Sequence, residues 1–125
     1  MSRLIDKHHH TLISDNFNVE DYSDCRLVFK QSGTVVHLHR FIVCLQSEFF
    51  KNSFSNQERE TNTTLSIQVD TDDEKLLTEL LHALYSGNLY VAAETYPSDI
   101  FTLIHLAEKY ELRTWLKLLI DDLSH

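Results

Sequence analysis

Apolar residues change their spacing several times along the chain, and each change predicts an element. Leu4, Ile5, Leu12 and Ile13 in residues 3–13 fit one side of a short amphipathic helix, followed by a polar, acidic connector over 14–24. The runs "CRLVFK" (25–30) and "TVVHLHR" (34–40) flank "QSG", which predicts a hairpin. From Phe41 the period lengthens. Phe41, Cys44, Leu45, Phe49, Phe50 and Phe54 recur at three and four, as in two short helices broken near Ser47, a good N-cap. "SNQERETNTT" (55–64) reads as an exposed loop, and "LSIQV" (65–69) alternates like a half-buried strand.

The acids of "DTDDE" suit the start of a helix carrying Leu76, Leu77, Leu80, Leu81 and Leu84, with Gly87 as its left-handed cap. "NLYV" (88–91) reads as a short extra strand. Pro97 marks the start of the next helix, with Ser98 as its expected cap. The last helix, "RTWLKLLIDDL", is expected to turn Leu116, Leu119, Ile120 and Leu123 inward. Together these elements predict an α+β fold: a mainly helical cluster beside a small three-stranded sheet, plus the extra strand. The expected division is an N-terminal arm over 1–22 and one globular domain over 23–125.

Composition narrows the chemistry. Two Gly and one Pro in 125 residues favour helices and argue against a glycine-lined phosphate loop. A formal charge of −8, with eleven basic residues scattered, argues against a nucleic-acid surface. No apolar run approaches the ~20 residues of a membrane span, and the N-terminus lacks the apolar core of a secretion signal. The two cysteines read more simply as reduced, buried thiols in an intracellular, cytoplasmic or nuclear protein, with a Cys25–Cys44 bond the alternative.

Candidate chemistry concentrates in "HLHRFIVCLQSEFF" (37–50). His37 and His39 could supply two metal ligands, but no third group sits at ligand spacing. His8, His9 and His10 point three ways around a helix and read as solvated surface. Cys44, expected on the inner side of a helix, reads as packing rather than as a nucleophile. The acids are spread rather than paired. These patterns favour no enzyme, no cofactor and no small-molecule substrate.

The pieces "SDCRLVF", "VHLHR", "SEFFKNSF", "LLHALYSGNL" and "LAEKYEL", in this order, resemble the BTB/POZ domain family. The resemblance implies a charge pair between Asp24 and Arg40, partly buried, so that breaking it would cost about 3–5 kcal/mol. It also implies homodimerisation, for which Leu4, Ile5, Leu12, Ile13 and Phe17 in the arm and Phe41, Leu45 and Phe49 in the body are the candidates. For the last three, ordinary core is the competing reading. In a subset of the family the domain recruits a cullin as adaptor of a ubiquitin ligase. Here the cullin-binding candidates are Phe54, Glu58, Arg59, Glu60, Tyr85 and Tyr90. Glu60 fits the family's apolar-x-Glu tripeptide, while Glu58 stands where an apolar anchor belongs. A scaffolding or repressor-type dimer without cullin binding is the alternative, and a metal-binding protein the third. The resemblance covers nearly the whole chain, so the sequence is expected to be the front of a longer protein.

Overall fold

A computed structural model describes residues 12–57, 65–89 and 97–123. Helix α1 covers residues 12–15 of the described chain. It is followed by strands β1 (Cys25–Phe29) and β2 (Val35–Leu38), then helices α2 (Arg40–Gln46) and α3 (Glu48–Gln57). Strand β3 (Leu65–Val69) leads to α4 (Glu74–Ser86), and α5 (Pro97–Lys109) and α6 (Arg113–Leu123) end the chain. The three strands form one mixed sheet in the order β2-β1-β3, antiparallel between β1 and β2 and parallel between β1 and β3. This is the expected α+β architecture.

Alternation explains the sheet. Cys25, Leu27 and Phe29 of β1 and Leu65, Ile67 and Val69 of β3 face inward, as the period of two requires. The hairpin closes through Phe29 N–H to the Thr34 carbonyl at 2.9 Å, with Gly33 at φ 77° supplying the left-handed residue that the turn needs. Both edges of the sheet carry side-chain partners. The His37 N–H donates to Asn18 Oδ1 at 2.8 Å on the β2 edge. On the β3 edge, the Gln57 amide exchanges two hydrogen bonds with the backbone of Ser66, at 2.9 and 3.0 Å, much as a neighbouring strand would.

The helices close over the sheet. Ser47 breaks the α2–α3 run as expected: its hydroxyl accepts the Phe50 N–H at 3.1 Å and donates to the Tyr110 carbonyl at 2.6 Å. Phe50 stacks between Phe54 and Tyr110, and Leu77, Leu80 and Leu81 of α4 fill the centre. Gly87 ends α4 at φ 76° with its N–H on the Ala83 carbonyl at 2.8 Å. Helix α5 ends in a Schellman-type turn, in which Leu112 N–H bonds the Ala107 carbonyl and Glu111 N–H that of Glu108. Glu111 holds the left-handed position, φ 53°, that glycine usually occupies.

Some boundaries differ from expectation. Helix α1 occupies part of the stretch read as connector. Pro97 is itself the first helical residue, so Ser98 lies inside α5 rather than capping it. In α6, Trp115 and Leu119 face the core while Ile120 is 46% exposed; the inward face is rotated from the one its leucines suggested. Of the extra strand, Asn88 and Leu89 are irregular, and the rest lies outside the described residues.

Candidate interaction surface

The corner where β1, β2 and α2 meet is held from two sides. His39, which precedes α2, makes no side-chain cap. Asp24 replaces it from the start of β1: one carboxylate oxygen accepts the Arg40 N–H at 2.7 Å and the other accepts Arg40 Nε at 3.1 Å. A carboxylate on the first free N–H of a helix satisfies a donor that would otherwise turn to water. The pair is less buried than expected, however, with side-chain exposures of 37% for Arg40 and 47% for Asp24. Solvent screening at that exposure brings the expected 3–5 kcal/mol down to ~1 kcal/mol.

On the other side, the Tyr85 hydroxyl accepts the His39 N–H at 2.8 Å and lies 2.9 Å from His39 Nδ1. Burial pushes the Tyr85 phenol well up, so it stays a neutral hydroxyl at any working pH. Phe17 packs on this arrangement, stacked on His82 at 4.7 Å and edge-on to Tyr85 at 5.2 Å. Residues 12–18 thereby rest on α4 of their own chain.

Fixed in this way, α2 points Phe41 (78% exposed) and Leu45 (72%) into solvent, one turn apart. They border an open groove of about 520 Å3 whose walls include Asp24, Arg40, Cys44, Glu48 and Lys51. Cys44 is half-buried at this groove, not sealed in the core as expected, and neither cysteine is in a disulfide. Together the two side chains leave an apolar patch in water at this corner.

The other candidates separate clearly. Phe49 turns inward, edge-on to Phe50 and Tyr110, which removes it from the exposed set. Ile13 and Phe17 are half-buried against the core, and Leu12 is 51% exposed. Phe54 and Tyr85, expected to contact a cullin, are 1% and 3% exposed. Both rings belong to the core, although Phe54 also lines the groove beside Phe41 and Leu45. Leu4, Ile5, His8, His9, His10, Glu58, Arg59, Glu60 and Tyr90 lie outside the described residues. Among the described residues no three His, Cys, Asp or Glu side chains converge as metal ligands, and no helix is long and apolar enough to cross a membrane. Sequence reasoning passed over Tyr22, at 92% the most exposed large apolar side chain among the described residues. The stretch "VEDYSD" sets this one aromatic ring among acids, in a turn with no periodicity to show which way the ring points.

A family model for the BTB/POZ domain matches residues 13–125. The chain belongs to the BTB/POZ domain family. A BTB/POZ domain-containing protein of Arabidopsis thaliana, At4g01160, is 29% identical over 83 residues, which are 66% of this chain and 15% of that protein. The chain thus spans a small part of this curated relative's length. Among solved structures, the BTB domain of zebrafish PATZ1 superposes with a TM-score of 0.71 at 14% identity, covering 94% of this chain and 89% of that one. The BTB domain of human Gigaxonin gives 0.68 at 18% identity, covering 92% and 90%. At these identities the likeness concerns the fold. BTB domains are protein-interaction modules.

Proposed function

We propose that this BTB domain is a non-enzymatic assembly module, working inside the cell, that joins two copies of its own chain through the outer face of α2. The exposure of Phe41 and Leu45 carries this reading. Removing them from water would contribute about 2–3 kcal/mol for each side chain, and a two-fold arrangement uses each twice. Sedimentation of the wild-type domain should give a dimer at micromolar concentration. Phe41→Glu should give a folded monomer with an unchanged circular-dichroism spectrum. A wild-type chain that remains monomeric at every concentration would reject the reading.

Cullin recruitment is the second reading. Glu60 supports it, standing where the resemblance places the Glu of the apolar-x-Glu tripeptide. The burial of Tyr85 weighs against it, as does Glu58 in the place of an apolar anchor. Titration calorimetry with a cullin N-terminal domain separates an adaptor from a scaffolding or repressor-type dimer: heat at micromolar concentration supports the adaptor, and none at high concentration ends it.

A further inference from the structure

Tyr22 stands apart from the other described tyrosines. The rings of Tyr85 and Tyr110 are built into the core, at 3% and 2% exposure, whereas Tyr22 is 92% exposed. Its backbone sits at φ 63°, a left-handed position that bulky side chains avoid and that glycine or asparagine would hold with less strain. Neither burial nor backbone preference accounts for a tyrosine there. What the position presents to the outside is a phenol hydroxyl.

The chain around it is tethered at both ends. Asn18 holds the His37 N–H of β2 at 2.8 Å, and Asp24 bonds the Leu38 carbonyl at 3.3 Å and the Arg40 N–H at 2.7 Å. Between these anchors the bonds are local: Val19 N–H donates to the Asn16 carbonyl at 3.3 Å, and the Ser23 N–H and hydroxyl both donate to the Glu20 carbonyl, at 3.0 and 2.7 Å. Straightening residues 19–23 gives up these few bonds and releases the strain at Tyr22, so the segment yields readily to an enzyme that binds its substrate extended.

Charge narrows the class of enzyme. Residues 14–25, "SDNFNVEDYSDC", hold four acids and no Lys or Arg, with Glu20 and Asp21 directly before the tyrosine and Asp24 two residues after it. Kinases discriminate among substrates by flanking charge, and a substrate groove lined with Lys and Arg attracts this stretch.

We propose that Tyr22 is a phosphorylation site for a protein tyrosine kinase with a basic substrate groove, with ATP as the donor. Tyr22 Oη attacks the γ-phosphorus; an O–P bond forms as the bond to the β-phosphate oxygen breaks, ADP leaves, and the phenol proton passes to the catalytic aspartate of the kinase. The product adds a charge of about −1.5 to −2 to a turn already rich in acids, in a form that arginine-lined pockets of other proteins recognise. The site holds whether or not the chain dimerises.

The whole chain and a peptide of residues 14–28 would each be incubated with MgATP and the catalytic domain of an acid-directed tyrosine kinase, and the product located by tandem mass spectrometry. Tyr22 should gain about 80 Da, ahead of the other tyrosines. Its rate in the folded chain should fall within about tenfold of the rate in the peptide. Glu20→Lys combined with Asp21→Lys should lower kcat/KM at Tyr22 about ten- to hundredfold while the circular-dichroism spectrum stays unchanged. A folded chain that resists a kinase that modifies the peptide overturns the proposal, and so does equal labelling of the charge-swapped variant. Phosphate arriving first on Tyr90 or Tyr96 overturns it too.

Discussion

At the residue scale, Cys25 shows how burial sets a chemical property. It is fully enclosed at the start of β1, and desolvation, then the neighbouring Asp24 carboxylate, push its thiol far up, with Arg40 pulling the other way. In the unfolded chain the same thiol ionises near pH ~8.5. Above that pH the folded state holds a proton that the unfolded state has released, so stability falls as pH rises, by about 1.4 kcal/mol per unit for this one group. Below the unfolded value the contribution is fully present. Urea midpoints taken between neutral pH and about pH 9.5 should therefore decline for the wild type. For Cys25→Ala they should start lower and decline less. Equal slopes would show that the thiol is not the source. That Cys25 would be an inert buried thiol was readable from the strand's alternation. That Tyr22 would be exposed was not, because one residue in a turn has no period to reveal its direction.

Among the elements, legibility followed periodicity. The leucines of α4 and the alternating residues of β3 each have one face that can be buried, and the structure buries those faces. Helix α6 was harder to read. At about 100° per residue Leu116, Leu119, Ile120 and Leu123 share one arc, but Trp115 lies just beyond its Leu119 side, and burying that large ring turns Ile120 outward. The break at Ser47 was visible in the chain, whereas the Schellman turn after α5 was not, since its left-handed residue is Glu111 instead of glycine. That departure gives a prediction at this scale. Glu111→Gly removes a left-handed strain of ~1–2 kcal/mol and adds back about 0.5–1 kcal/mol of glycine entropy. The variant should gain about 0.5–1 kcal/mol, seen as a raised denaturant midpoint with the same slope. No gain would mean that the Glu111 side chain compensates for its backbone.

For the whole molecule, family and architecture were legible because five short motifs in fixed order specify more than any one of them. The face it offers was less so: Phe41, Phe49, Phe50 and Phe54 share one pattern in the sequence, and only the packing of α2 and α3 against their neighbours leaves Phe41 outside. Charge adds a constraint at this scale. Each chain carries a formal −8, so the proposed dimer brings together two bodies that repel each other. Association should tighten as salt rises toward physiological ionic strength, where the screening length shortens to ~8 Å. Light scattering across a salt series would show this, and loosening with salt would point to attractive ion pairs across the contact. A module that gathers copies of itself must also limit how they meet. By occupying Ser66 with its own amide, Gln57 leaves no vacant rung there for another molecule's strand to climb onto, so crowding these domains together should yield discrete assemblies and not fibrous growth from that side.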